Sequence, residues 1–401
     1  MIKSIVLVAD SYPPFRTSAA VQLRDLAVEF LRQGVVPTVI TSGADTRTIF
    51  NLTEIDGISV LGLKTPEHKN VGRIRRALAE FLIPFFMIKN FRSSPLKTAR
   101  WDAIVWYSPT IFLGPFIYYL KVRNKCPSYL ILRDIFPAWA LDLRILRKGL
   151  AYYFFRIFEK FQYSVADCIG VQAVGNLDYF KAWPNFAYKK IEVLHNWLTP
   201  KPISNCSIDI ATLPIANRKI FVYAGNMGIA QGMGILLDLA EASLCRKDIG
   251  FLFIGRGSDM EFLRLDAKER GLINVVFCDE IDAHEIPGLY AQCHVGLIAL
   301  DPRHKTHNIP GKFLSYLQSG LPVMAIVNEG NDLQSIIEHY QVGVVTTNRS
   351  KENLLLLMNF LLEQLSLKGG QMSSRCKHLA DKLFSSQTAV EQIIRALNSA
   401  K

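Results

Sequence analysis

Nowhere in this 401-residue sequence do about 18 uncharged apolar residues run together, so no membrane-spanning helix is expected. No C-x-x-C pair occurs. The seven cysteines (Cys126, Cys168, Cys206, Cys245, Cys278, Cys293 and Cys376) are scattered and odd in number, which argues against both a zinc site and a disulfide framework. Reduced thiols packed as small apolar groups in a cytosolic protein fit better. The chain also lacks a D-x-D triplet and any His/Asp cluster at ligand spacing, so no metal requirement is expected. Without G-x-S-x-G a serine hydrolase is disfavoured. Without G-x-G-x-x-G or G-x-x-x-x-G-K-[ST], so are a dinucleotide fingerprint and a P-loop. The opening MIKSIVLVADSYPP carries too short an apolar run for a signal peptide.

Charge is sparse, at 20% of residues, while half the residues are apolar, the balance of a globular protein. The net charge of +11 favours anionic partners: phosphorylated substrates, nucleic acid or anionic lipid. The basic residues are dispersed and no nucleic-acid module is recognisable, so the nucleic-acid reading is weak.

What is present is an alternation of apolar β-branched runs and amphipathic helices. SIVLVAD, VVPTVIT, ISVLGL, AIVWYS, YLILRD and CIGVQA read as buried strands. Between the first two, Leu23, Leu26, Ala27, Phe30 and Leu31 share one helical face that closes at Gly34. The stretch 196–214 is rich in proline and small polar residues and reads as a linker. After it the alternation restarts with KIFVYAG, IGFLFIG, NVVFCDE, VGLIAL, PVMAIV and VGVVTT. Strands buried on both faces and separated by helices imply parallel sheets. The expectation is an α/β chain of two doubly wound, Rossmann-like domains facing across a cleft. The first spans 1–198, with a C-terminal helix 385–401; the second spans 199–384.

Ligands of such sheets gather at the carboxyl ends of the strands. There the second half carries AGNMGIAQGMG, with Gly225, Gly228, Gly232 and Gly234 between a strand and a helix start. Bare amides and a helix dipole would suit an anion; plain turn punctuation reads equally well. FIGRGSDM sets Arg256 between two glycines, as a ligand-facing cation or a solvated one. In IPGKFLSYLQSGLPV, Pro310 suits a first helical turn. Lys312 then opposes the helix dipole unless an anion offsets it. In the first half, SYPPFRTSAA places small residues before a helix. RDIFP sets Asp134 at a strand end, as a functional carboxylate or a turn cap. His195 and Asn196 could line a cleft or pack a hinge.

These pieces, in this order and across nearly the whole chain, resemble the bacterial glycosyltransferases of family 4. The detail is most similar to the branch of N-acetyl-L-fucosaminyl transferases of O-antigen and capsule assembly. That resemblance implies the GT-B fold. It implies a donor site for a UDP-sugar co-substrate in the second domain, with no cofactor, built from Gly225, Asn226, Gly228, Gln231, Gly232, Arg256, Glu280, His307, Asn308, Pro310 and Ser315. It implies an acceptor site in the first at Ser18, Ala19 and Arg133, and chemistry carried by Asp134 and Lys312. The donor's diphosphate would rest against Gly225 to Gly232 and Lys312, and transfer would retain the anomeric configuration without a protein nucleophile. The acceptor would be a lipid-linked saccharide, reached by an enzyme peripherally bound to the inner face of the plasma membrane. Departures from the family pattern stand at Asn226 and Gln231, where the broad family has Arg and Lys, and at His307 and Ser315, where it has glutamates. They leave a non-catalytic partner subunit open, beside a nucleotide-sugar 2-epimerase of the same fold.

Two stretches carry the membrane expectation. RIRRALAEFLIPFFMIKNFR (Arg73–Arg92) and ILRKGLAYYFFRIFEKFQY (Ile145–Tyr163) mix bases with bulky apolar residues, as interfacial helices do. Their other reading is that the apolar faces pack on the sheet.

Overall fold

In the computed structural model the chain divides into two units, Met1–Trp197 with Ser386–Lys401, and Leu198–Ser385. It describes residues 2–400 apart from 16, 43–47, 68–71, 109, 143, 184–188, 201 and 304–307, and of Ser18, Arg73, Ile74 and Asp142 the backbone alone.

The first unit is built on eight strands: β1 (Ser4–Ala9), β2 (Val36–Ser42), β3 (Phe50–Ile55), β4 (Ile58–Leu63), β5 (Ala103–Ser108), β6 (Ser128–Leu132), β7 (Cys168–Val171) and β8 (Lys190–Val193). Their order is β3-β4-β2-β1-β5-β6-β7-β8, parallel throughout except that β3 runs antiparallel to β4. β1, β5, β6 and β7 are near-continuous buried runs because helices cover both faces. On one face Leu23, Leu26 and Phe30 of the helix Ser18–Arg32 pack with Val390, Ile393 and Leu397 of the C-terminal helix Ser386–Ser399. On the other, Ile83, Met87 and Phe91 of Arg73–Arg92 join Phe116 and Ile117 of Gly114–Asn124. Truncating one such aromatic, Phe30 or Phe91, to Ala would cost about 3–5 kcal/mol through lost burial and the cavity left behind.

The second unit has six parallel strands: β9 (Lys219–Ala224), β10 (Ile249–Gly255), β11 (Val275–Asp279), β12 (Val295–Ala299), β13 (Val323–Ile326) and β14 (Gly343–Thr346). They run in the order β11-β10-β9-β12-β13-β14, the Rossmann arrangement, with the chain reversing direction across the sheet between β9 and β12. That reversal opens a crevice at their carboxyl ends, where the helix Gly311–Gln318 also starts.

Three features depart from the sequence reading. β3 and β8 were absent from it: both are edge strands, mostly exposed or half-buried, and neither shows a buried apolar run. Leu31 is exposed rather than on the buried face of its helix. The stretch 196–214 is not a free linker. Trp197 is buried in the first core, while Ile210 sinks into the second, where the Gln292 amide accepts from Ile210 N (2.9 Å) and donates to Ile208 O (3.0 Å).

Candidate functional site

The loop after β9 lies against the loop after β10 through backbone contact. Gly225 N donates to Ile254 O (2.9 Å), Met227 N to Arg256 O (2.8 Å), and Asp259 N to Met227 O (3.0 Å). A Cβ on Gly255 would collide with the Gly225 carbonyl, and one on Gly257 with the Met227 carbonyl; both have positive φ. Only glycine fits there. Gly232, also at positive φ, brings the loop to β12's end: an added Cβ would stand 2.9 Å from Asp301 Cα. These three glycines therefore serve close approach between loops. The bare, outward-facing amides expected of this stretch are largely occupied by the chain itself. Gly228 N donates to Gln231 Oε1 (3.1 Å), which also accepts from Asn226 Nδ2 (3.0 Å).

Gly225 is different. A Cβ there would meet only the side chain of Lys312, 3.6 Å from Cε and 3.9 Å from Nζ. The Lys312 ammonium sits 3.6 Å from the centroid of the Tyr223 ring, a cation–π contact. Tyr223 is itself fixed, buried in β9 with its hydroxyl donating to Asn226 O (2.7 Å). Lys312 is half-buried, and among the described residues no carboxylate pairs with it. Burial with no compensating charge pulls its pKa down to about 7. The lysine is the second residue of Gly311–Gln318, whose N-terminus has no side-chain cap. First-turn amides of a helix have no intrahelical acceptor. Phe313 N donates to Pro310 O (3.0 Å), so what converges beside Gly225 is a desolvated cation and the positive dipole end of a helix without a side-chain cap, and each is improved by an anion.

The floor under this site is rigid. The buried Tyr316 hydroxyl spans the reversal point, donating toward Val222 O (3.1 Å) of β9 and Leu297 O (3.2 Å) of β12. Gly296 admits the Tyr316 ring, which a Cβ would contact at 2.5 Å. Around the rim, Arg256 pairs with Glu280 (3.2 Å), both exposed. Ser315 Oγ donates to Lys312 O (3.0 Å), Asn308 and Pro310 are half-buried just before the helix, and His307 lies outside the described residues.

Asp301 and Asn328 escaped the sequence reading. Asp301 N donates to Ala230 O (3.0 Å), its carboxylate holds Arg303 (2.8 Å), and Asn328 Nδ2 donates to Asp301 O (2.8 Å). The hydrogen bonds from Arg303 keep the Asp301 carboxyl below the usual carboxylate range. This lock joins the loops after β9, β12 and β13. Asp301 could have been found by the rule that singled out Asp134, a polar residue just past a buried strand.

In the first unit, Asp134 follows β6. It is open to solvent on one side and crowded by protein on the other; desolvation raises its pKa, with Arg133 opposing. Arg133, expected to face an acceptor, is instead buried: its Nη1 donates to Leu194 O (2.9 Å) and its guanidinium lies over the rings of Trp197 (4.8 Å) and Tyr107 (5.8 Å). It holds the chain's own backbone and aromatic groups. Ala19 is half-buried in the first turn of Ser18–Arg32, and the side chain of Ser18 lies outside the described ones. That helix start is capped by Thr17 Oγ1, which accepts from Ala20 N (3.2 Å). His195 Nδ1 lies 3.3 Å from Gln172 O, a contact within the unit.

One trio of potential metal ligands converges among the described residues, Asp282, His284 and Glu285, with ligand atoms within 4.8 Å of one another. Glu285 there already accepts from Ser207 N (2.5 Å).

Comparison with known proteins bears on the fold and on the class of enzyme. Residues 208–378 match the family described as glycosyl transferases group 1. A probable glycosyltransferase, WbjE of Pseudomonas aeruginosa, is 23% identical over 286 residues, covering 70% of either protein. Among solved structures, Alr3699/HepE of Anabaena in complex with UDP superimposes with a TM-score of 0.67 at 18% identity, over 99% of this chain and 100% of that one. WaaG, a glycosyltransferase involved in lipopolysaccharide biosynthesis, gives 0.62 at 15%, over 98% and 99%. The fold is GT-B, and the chain is a glycosyltransferase. At these identities the likenesses to solved structures establish the architecture alone.

Proposed function

We propose that this enzyme is a retaining glycosyltransferase that moves a sugar from a UDP-sugar to a polyprenyl-diphosphate-linked saccharide, in O-antigen or capsule assembly at the inner face of the plasma membrane. N-acetyl-L-fucosamine is the sugar the sequence resemblance favours. The observation that carries the donor half is Lys312: a half-buried ammonium against Gly225, without a carboxylate partner among the described residues, at an uncapped helix start. HepE, of the same fold, is described in complex with UDP, which supports UDP as the nucleotide.

In the proposed reaction the acceptor hydroxyl oxygen bonds to the anomeric carbon as the bond from that carbon to the diphosphate oxygen breaks. The hydroxyl proton passes to the departing phosphate. Negative charge grows on the diphosphate, and Lys312 with the N-terminal dipole of Gly311–Gln318 is preorganised to stabilise it. Arg256, Glu280, Asn308 and Ser315 are the proposed contacts to the nucleoside side. Asp134, whose raised pKa reflects desolvation, is the proposed acceptor-side carboxylate. No cofactor or metal is part of this scheme.

Calorimetric titration of the full chain with UDP tests the reading. Saturable heat is expected; no heat at UDP concentrations in the millimolar range, above the usual KM values of enzymes, would sink it.

A further inference from the structure

The two stretches singled out in the sequence for their mixture of bases and bulky apolar residues are about 70 residues apart in the chain, yet they fold into one face. Phe81 of the helix Arg73–Arg92 packs against Phe154 (6.0 Å) and Phe158 (5.4 Å) of the helix Leu150–Val165. Phe112, just past β5, joins the same cluster at 5.2 Å from Phe158, and Phe136, past β6, meets Phe155 edge-to-face at 4.9 Å. Glu80 reaches from the first helix to Thr110 Oγ1 (3.1 Å) after β5. The pair is therefore anchored at the carboxyl ends of β5 and β6, beside Asp134.

These contacts use only part of each helix. Leu78, Leu82 and Phe85 recur at helical spacing on the outside of one, and Leu150, Tyr153 and Ile157 on the outside of the other. Leu78 is 60% exposed, Leu150 93% and Ile157 65%. Lone exposed leucines are ordinary; a joined stripe of large apolar side chains is not. The charges beside it have one sign. Arg75, Lys89, Arg147, Lys148 and Lys160 are exposed. The two carboxylates within 73–92 and 145–165 are withdrawn: Glu80 pairs with Arg76 (2.7 Å) and Glu159 is fully buried, held by Arg156 (2.6 Å) and Tyr179 (2.6 Å). A surface whose two helices are apolar at the centre, basic around it and without an exposed carboxylate of their own, Asp134 standing exposed beyond them past β6, complements one partner chemistry, an apolar layer under an anionic one.

We infer that this two-helix face docks on an anionic lipid bilayer, sinking Leu78, Leu82, Leu150 and Ile157 below the headgroups and setting the carboxyl ends of β5 and β6 at headgroup level. The inference deepens the lipid-linked acceptor reading and rests on it for why the face should be used. It assigns the surface and its orientation: a saccharide on a membrane-embedded carrier would arrive at the strand ends that bear Asp134. Apolar insertion and phosphate attraction both contribute, so binding depends on each.

The test is co-sedimentation of the full chain with phosphatidylcholine vesicles containing or lacking phosphatidylglycerol, at low and high salt. Binding to the anionic vesicles is expected to exceed that to the neutral ones by about tenfold or more, and to weaken with salt. Leu78→Glu combined with Ile157→Glu should abolish it. Lys89→Glu combined with Lys148→Glu should remove most of the preference for anionic vesicles. All these side chains are exposed, so thermal unfolding should be unchanged, and UDP heats should be unchanged too, which separates failure here from failure of the donor reading. No binding to either vesicle, or wild-type binding by the Leu78/Ile157 variant, overturns the inference. So does a wild-type dimer that the same variant converts to monomer, since the face would then be covered by a second copy.

Discussion

The two units begin a helix at the carboxyl end of their sheet in the same way and finish it differently. In the first, Thr17 caps Ser18–Arg32 by accepting from Ala20 N, and the nearby cation Arg133 is spent on a carbonyl and two aromatic rings. In the second, Gly311–Gln318 has no side-chain cap, and its cation, Lys312, has a ring beneath it and no carboxylate partner among the described residues. One architecture thus yields a capped start beside a guanidinium sealed inside the chain, with Nε and Nη2 buried and unpaired among the described residues, and an uncapped start beside an ammonium that is only half-buried. A helix N-terminus alone says little about ligands, and both cations are desolvated; what distinguishes the second is that its ammonium stands half-buried in the first turn of an uncapped helix, whereas Arg133 is enclosed by the chain.

The largest test of this contrast is Lys312→Met. Loss of a preorganised charge at a developing anion costs about 10²–10³ in kcat, and UDP affinity should fall alongside. The fold should not suffer, because the substitution removes a cation whose burial is unfavourable. The pH dependence has a definite sign. The Lys312 pKa is depressed in the folded chain, from 10.5 to about 7, so the unfolded state binds more protons between those values. Stability from this group therefore rises with pH through that window, and below about pH 7 the burial cost is present in full. A bound diphosphate favours the ammonium form. UDP binding should then take up a proton above about pH 7 and weaken as pH rises, by up to tenfold per unit, with the slope removed in Lys312→Met. Calorimetry in buffers of different ionisation enthalpy measures this uptake directly; an unchanged slope in the variant would assign it elsewhere.

Gly255→Ala should have the next largest effect, on structure first. It places a Cβ against the Gly225 carbonyl at a positive φ, so a loss of about 2–4 kcal/mol is expected in denaturant unfolding, with UDP binding weakened only as the loop shifts. Retained stability would mean that the loops are less tightly apposed than they are here. The smallest effect belongs to the capped start. Thr17→Ala should cost about 1 kcal/mol of stability and leave UDP affinity within error. A change in UDP binding comparable to that of Lys312→Met would dissolve the distinction between the two helix starts.

Legibility in the sequence followed burial. The twelve strands expected from apolar runs are all present: those inside the sheets because a strand covered on both faces must be apolar along its length, and β11 and β14, half-buried at the edges of the second sheet, because they carry apolar runs as well. β3 and β8 were hidden because an edge strand answers to solvent on one side and need not carry that pattern. The four glycines after β9 were visible, yet their purposes were not. Gly232 serves backbone apposition to Asp301, as Gly255 and Gly257 do toward the β9 loop, while Gly225 answers to its positive φ, a Cβ there making only ordinary contact with the Lys312 side chain. Arg133 shows the same limit. The family resemblance implied an acceptor contact for it, whereas the rings that enclose it come from residues 26 positions before it and 64 after.

The sequence by itself determined the two parallel sheets, the strand ends at which chemistry gathers and the identity of the residues standing there, since hydrophobic periodicity and glycine or proline punctuation are local properties. Only the tertiary structure decided which of those residues is left with unmet charge. Whether a carboxylate, a capping hydroxyl or an aromatic ring reaches a given cation depends on side chains brought together from distant parts of the chain. Electrostatic compensation is set by that proximity and by the water it excludes.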